Sequence, residues 1–311
     1  MQIYLPIAEI PVNIIMILLL GLVAGFLAGI FGIGGGFLTT PFLMFIGIPP
    51  AIAVSTSTNQ IIASSVSGLL AHLRKNSVDV KMGIFLVIGG FFGSSFGVSI
   101  FTLLQQAGQV DLVIAAVYVI FIGSIAIMMF KDSIKTLIEK KYYITWKKKS
   151  QNTRLTRFLN RIDNLPWKVN FPKSNITVSA LVPITLSIGI GVLVALMGIG
   201  GGFLMIPAMI YILRMPSNVI VGTSLFQIVF IASNATFLQA VTNNTVDIVL
   251  AFLMIFSSSI GAQVGTRVGY KIDADYLRFL LSLLLVGVCS KMLLSLFSEP
   301  HNLYLIEVLK R

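Results

Sequence analysis

Residues 29–41 read "GIFGIGGGFLTTP" and lie in a run, Ile10 to Leu73, that holds no Asp, Glu, Lys or Arg. Glycine disfavours a helix interior by about 1 kcal/mol relative to alanine, and proline by more. A cluster at Gly32, Gly34, Gly35 and Gly36, closed by Pro41, therefore interrupts what its oily surroundings would otherwise make continuous helix. The chain does this twice. "MGIGGGFLMIP" recurs at residues 197–207.

The recurrence extends well beyond the glycines. Gly32 to Phe37 and Pro41 match Gly198 to Phe203 and Pro207 at a shift of 166. Thr56, Ser57 and Gln60 match Thr223, Ser224 and Gln227 at 167, and Asp79, Gly93 and Gly97 match Asp247, Gly261 and Gly265 at 168. Landmarks kept in order at nearly constant spacing mark an internal duplication.

The 311 residues are 56% hydrophobic and 11% charged, far below the roughly 25% charge of a soluble domain. Further uncharged runs cover 82–110, 112–130, 174–213, 215–246 and 248–266. Each is long enough for a span of about 20 apolar residues, and apolarity on every face favours helices over a barrel. The apolar start has no basic residue before it and runs on into the repeated motif, unlike a cleaved signal peptide. The net charge of +11 does not point to nucleic acid. Twelve of the 22 Lys and Arg fall between Lys131 and Lys173, where the positive-inside rule puts a cytoplasmic loop beside anionic headgroups.

The expected architecture is an all-α membrane protein of two inverted-topology repeats, each with about four full helices plus one short hairpin segment. Residues 1–130 form the first repeat, 131–176 a basic cytoplasmic linker and 177–311 the second repeat. Spans are expected at 12–31, 51–73, 80–104 and 111–130, with counterparts at 177–197, 217–241, 247–270 and 275–297. Inversion follows from the loops. Arg74, Lys75 and Lys81 make one connection basic, whereas its counterpart "TNNTVD" at 242–247 has no basic residue. Segments 37–48 and 203–213 are too short to span unaided and read as half-helices returning from glycine-tipped hairpins.

Gly21, Gly25 and Gly29, four apart, fit close helix packing. The clustered glycines fit it poorly: Gly34, Gly35, Gly36, Gly200, Gly201 and Gly202 expose backbone N–H groups at the start of a half-helix, an arrangement that favours anions. No Lys-Ser/Thr pair follows the glycines and no strand precedes them, which argues against phosphate and dinucleotide loops. The polar runs "STSTNQ" (55–60) and "GTSLFQ" (222–227) add neutral donors at Thr56, Ser57, Gln60, Thr223, Ser224 and Gln227, with Asn59 and Asn234 extending them. Asp79 and Asp247 read as helix caps, and Arg267 and Lys271 as snorkelling side chains at a helix exit. Donors without a membrane-centre carboxylate suit an oxyanion better than a cation. A lone Cys289 and scattered His72 and His301 offer no metal site, no cofactor motif stands out, and no nucleophile–base pair suggests an enzyme.

Gly-x-Gly-Gly-Gly followed by Pro, present in both halves with a Thr-Ser pair downstream, resembles the sulfite exporter TauE/SafE family of membrane permeases over roughly 12–130 and 177–297. The resemblance implies transport of a sulfur-containing anion, such as sulfite or an organosulfonate, across the bacterial cytoplasmic membrane. By position, Gly34 to Gly36, Gly200 to Gly202, Thr56, Ser57, Thr223 and Ser224 match the family's motifs. Asn59 opposite Phe226 and the long central loop depart from a strict repeat. The expected function is a secondary transporter for a small anion working by alternating access. An anion channel, or a membrane scaffold or sensor using the basic loop, are the alternatives.

Overall fold

The computed structural model describes residues 2–31, 36–141, 166–269 and 274–297. The chain forms two compact units, Met1–Ile114 with Thr145–Ile272, and Ala115–Ile144 with Asp273–Arg311. The first unit opens with a hairpin, β1 (Gln2–Tyr4) and β2 (Pro11–Asn13), followed by α1 (Ile14–Phe31), α2 (Gly36–Phe45), α3 (Pro50–Arg74) and α4 (Val80–Gln106). Helix α5 (Val110–Lys141) begins there and continues into the second unit. The order then repeats in the first unit: β3 (Lys168–Phe171), β4 (Ile176–Ser179), α6 (Leu181–Met197), α7 (Gly202–Tyr211), α8 (Ser217–Leu238) and α9 (Ile248–Gly269). A π-helical turn, Gln239–Asn243, extends α8. In the second unit, α10 (Ala274–Phe297) meets α5 where the Cys289 thiol lies 3.6 Å from the Val119 carbonyl and against Gly123.

This is an all-α membrane protein with two small hairpins. Among the described residues, Val80–Gln106, Val110–Ile127, Asn218–Asn243 and Ile248–Val268 are long and apolar enough to cross a bilayer. Ile14–Ile30 and Leu181–Met197 are apolar but shorter. Helix α3 has 25 residues but carries Ser55 to Gln60, Ser64 and Ser65, most of them buried inside the fold. The ten-residue helices α2 and α7 are about 15 Å long, half a hydrocarbon core, as expected of half-helices. Each carries its proline, Pro41 and Pro207, at the same place.

The duplication reaches further upstream than the helices. Ile3 pairs with Val12 and Val169 with Val178, and Gln2 pairs with Asn13 and Lys168 with Ser179, so both hairpins share one register at a shift of 166. Four-residue strands are too short to leave a periodic signal, so residues 12–13 and 177–179 read as helix from sequence.

The halves exchange their fourth helices. Helix α9 packs along α1, and α4 packs along α6. Glycines let these backbones touch. A Cβ on Gly25 would overlap the Ser258 carbonyl, and one on Gly29 the Ala262 carbonyl. A Cβ on Gly93 would meet the Ile188 carbonyl, and one on the equivalent Gly261 the Leu22 carbonyl, residue for residue across the repeat. Small residues that admit such approach are what drives helix association in lipid, where apolar burial alone gives no gain.

The cores follow the exchange. One joins Leu5, Ala8, Val12, Ile17, Leu43, Ile52, Leu250 and Met254, drawn from the first hairpin, α1, α2 and α3 with α9. The other joins Met82, Leu86, Phe171, Ile190, Met205, Val219 and Ile231, drawn from the second hairpin, α6, α7 and α8 with α4. Overpacking a tight contact costs about 1–3 kcal/mol. Gly25→Val and Gly93→Val should therefore lose the monodisperse peak in detergent size-exclusion chromatography. Gly189→Ala, where nothing lies within 4 Å of the added Cβ, should keep it.

Candidate functional site

The two acidic caps are the first polar elements of the interior. Asp79 caps α4, its carboxylate accepting the Met82 N–H at 3.0 Å, and Asp247 caps α9 through the Leu250 N–H at 3.1 Å. The second carboxylate oxygen of each holds a hairpin of the other half. Asp79 accepts from the Ser174 N–H at 3.1 Å and from the Ser174 hydroxyl; Asp247 accepts from the Ile7 N–H at 2.9 Å.

Thr56 and Thr223 belong to the same fastening. The Thr223 hydroxyl accepts the Asp79 N–H at 2.9 Å, and the Thr56 hydroxyl accepts the Asp247 N–H at 3.2 Å. Both were expected to face the substrate; the structure gives each an acceptor role at the start of a helix from the opposite half. The duplication marks Thr56 and Thr223 and also Asp79 and Asp247, but not their pairing, since the partners lie 144 and 191 residues apart.

Around the glycine motifs the halves touch directly. Gly34 and Gly35 lie outside the described residues. Gly36 opens α2, and a Cβ there would strike Ile61 and come within 2.5 Å of the Gly198 carbonyl. Gly198, Gly200 and Gly201 all have positive φ, +62°, +79° and +69°, which L side chains adopt only with strain. A Cβ on Gly200 would lie 2.7 Å from Ile61. Ile61 thus sits between the two motifs. Ser57 joins them: its hydroxyl donates to the Val54 carbonyl at 2.9 Å, lies 3.4 Å from the Gly198 carbonyl, and meets the Thr40 hydroxyl at 2.7 Å. Thr40 in turn reaches the Gly36 carbonyl at 3.4 Å. Among the described residues, Ser224 repeats the local bond, to Val221 at 2.9 Å.

The start of α7 uses much of its own donor capacity. The Gly202 N–H donates to the Gly200 carbonyl at 2.8 Å, and the Leu204 and Met205 N–H groups donate to the Gly201 carbonyl at 3.2 and 2.8 Å. The unspent polar atoms belong to side chains one helix away. Gln60 and Gln227, equivalent in the duplication, are fully buried. Among the described residues, neither amide atom of Gln60 has a partner, and neither does Oε1 of Gln227, whose Nε2 donates to Ser187 at 3.2 Å. Asn59 Nδ2 and Ser65 Oγ, also on α3, are buried without partners. Such atoms cost about 1–3 kcal/mol each when left unsatisfied, so they mark a place shaped for something other than stability.

Gln60 and Gln227 adjoin Ile61 and Ile228, which pack with Ala232 in a small central cluster between α3 and α8. Asn234 is not part of this group. It lies two turns further along α8 and donates to Ser94 at 2.8 Å and Ser95 at 3.0 Å on α4. Thr40, Ser65 and Ser187 were missed in the sequence because single hydroxyls among small residues look like packing. Every donor gathered here is neutral.

The profile of the sulfite exporter TauE/SafE family matches residues 17–292. The chain belongs to that family. It is similar to the "Probable membrane transporter protein YunE" of Bacillus subtilis, 25% identical over 88% of this chain and 95% of the relative. It also resembles "Probable membrane transporter protein YjnA" of the same organism, 27% identical over 88% and 97%. "Sulfite exporter TauE/SafE family protein 1" of Arabidopsis thaliana is 27% identical over 37% of this chain and 26% of the relative. No solved structure matches the chain significantly. The family is one of membrane transporters, and the chain is a multi-pass membrane protein.

Two substitutions separate structure from site. Thr223→Val leaves the Asp79 N–H without its acceptor and should destabilise by about 1–3 kcal/mol, read as a fall in thermal midpoint in detergent. Gln60→Met replaces an unpaired amide by an apolar group of similar length, so its midpoint should hold or rise.

Proposed function

We propose that the chain is a secondary transporter that carries a small sulfur-containing anion, sulfite or an organosulfonate, across the cytoplasmic membrane by alternating access. Family membership supports transport, and the name of the Arabidopsis relative supports a sulfur oxyanion. The observation that carries the reading is the pair of unspent buried donors on α3, Asn59 Nδ2 and Gln60 Nε2, next to Ile61, which lies against both glycine motifs. Amide and hydroxyl donors replace an anion's hydration shell without the desolvation that a buried Lys would bring.

The anion is bound by the N–H donors of Asn59 Nδ2 and Gln60 Nε2, while Gln227 spends its Nε2 on Ser187. Gly34 to Gly36 and Gly200 to Gly202 let the backbone close around it, and Ser57 keeps the two motifs in register. The exchanged packing of equivalent helices supports a two-fold relation, and the loop charges support repeats of opposite orientation, with residues 131–176 cytoplasmic.

Purified protein in proteoliposomes tests this with labelled sulfite and sulfoacetate. Saturable uptake that accelerates in counterflow is expected. Gln60→Met and Ser57→Ala should lower the flux by about 100-fold, the scale of one or two lost charge-assisted hydrogen bonds, while the protein stays folded. Unsaturating conductance would make it a channel, and no flux of either anion would remove the sulfur reading.

A further inference from the structure

The duplication suggests that the rigid bodies of such a carrier are its two sequence repeats. The packing divides the molecule differently. The first core takes the first hairpin, α1, α2 and α3 from one half and α9 from the other. The second takes the second hairpin, α6, α7 and α8, and α4. Bonds that tie one repeat to the other fall largely inside these two bundles. Thr56 with Asp247, and Asp247 with Ile7, lie in the first. Thr223 with Asp79, Asp79 with Ser174, Thr102 with Asn243, and Asn234 with Ser94 lie in the second.

Between the bundles α3 lies along α8 through small apolar clusters, Ile61 with Ile228 and Ala232, and Leu69 and Val78 with Leu225, and Gly198 at the end of α6 lies against Gly36, Val54 and Ser57. Beside them stand the unpartnered atoms of Asn59, Gln60, Ser65 and Gln227. A hydroxyl pair, Thr58 and Thr236 at 2.6 Å, bridges α3 to α8. The chain crosses between bundles at two equivalent connections, after α3 and after α8. Each contains an asparagine in the left-handed region, Asn76 at φ +53° and Asn244 at +52°. Left-handed asparagines end helices in compact turns, and residues at element ends are where hinge motion is absorbed.

We infer that the moving bodies are these two exchanged bundles, hinged at Asn76 and Asn244, and that they part along the α3–α8 seam. The inference rests on the carrier reading above. It differs from rocking of repeat against repeat, because α1 and α9 move together although they belong to different halves.

Spin labels in a Cys289→Ala background distinguish the two motions. Leu19→Cys with Phe256→Cys joins two exposed positions in one bundle but opposite repeats. Leu19→Cys with Phe92→Cys joins one repeat but opposite bundles. In proteoliposomes the first pair should give one narrow distance that sulfite leaves unchanged, and the second a broad or two-peaked distribution that sulfite shifts. The reverse pattern, or two narrow and unchanging distances, overturns the inference. A disulfide between Thr58→Cys and Thr236→Cys should lower counterflow about tenfold or more until reduced, since it ties the seam. Full flux through the cross-linked protein overturns it as well. If the Cys289→Ala parent moves no anion, the carrier reading fails, and the label distances still decide which bodies move.

Discussion

Backbone carbonyls lie against glycines where α1 crosses α9 and where α4 crosses α6, and the rest of the interior depends on that contact. It admits no side chain, so each half must give its fourth helix to the other. Once exchanged, the N-terminus of α4 arrives beside Thr223 and that of α9 beside Thr56. The caps Asp79 and Asp247 then find the opposite hairpins within reach. A chain that merely repeated would make two separable bundles, each its own half. This one makes two bundles that neither half can complete alone.

The site follows from the same exchange. It leaves α3 and α8 as the helices that face each other across the centre, and these carry the polar runs. Their threonines at Thr56 and Thr223 are spent on folding, whereas Gln60 and much of Gln227 are not. In hydrocarbon an unpaired amide has no water to turn to, so its cost is fully felt. That cost is tolerable because the surrounding glycine contacts are satisfied and close. A strained or unsatisfied centre held by a rigid frame is the usual arrangement of a binding site.

Helix order, the half-helices and the duplication were legible because each leaves a long or repeated signal. Gly93 and Gly261 announce themselves by recurring, and Pro41 and Pro207 mark equivalent breaks. The capping role read for Asp79 and Asp247 is what the structure holds. What the sequence did not carry was partnership. Nothing near Thr56 says that it bonds residue 247, and nothing in "QIY" at residues 2–4 says hairpin until Lys168–Phe171 is seen to copy it. The hydrogen bonding of the second glycine loop was likewise not carried by the sequence. Gly202, Leu204 and Met205 turn their N–H groups back onto the loop, a choice set by the positive φ of Gly200 and Gly201.

The two halves have kept what the exchange needs and diverged at several polar positions around it. Thr56 and Thr223, Asp79 and Asp247, Gln60 and Gln227, and Ile61 and Ile228 are preserved in kind. At several other equivalent positions the first half is polar and the second apolar, Thr40 against Ile206, Thr58 against Leu225, Asn59 against Phe226 and Ser65 against Ala232, and at others the order is reversed, Leu69 against Thr236 and Gly21 against Ser187. The residues that fasten the exchanged helices are thus matched from half to half, whereas the polar residues between α3 and α8 are distributed unequally, with Thr58, Asn59 and Ser65 on one side and Thr236 on the other.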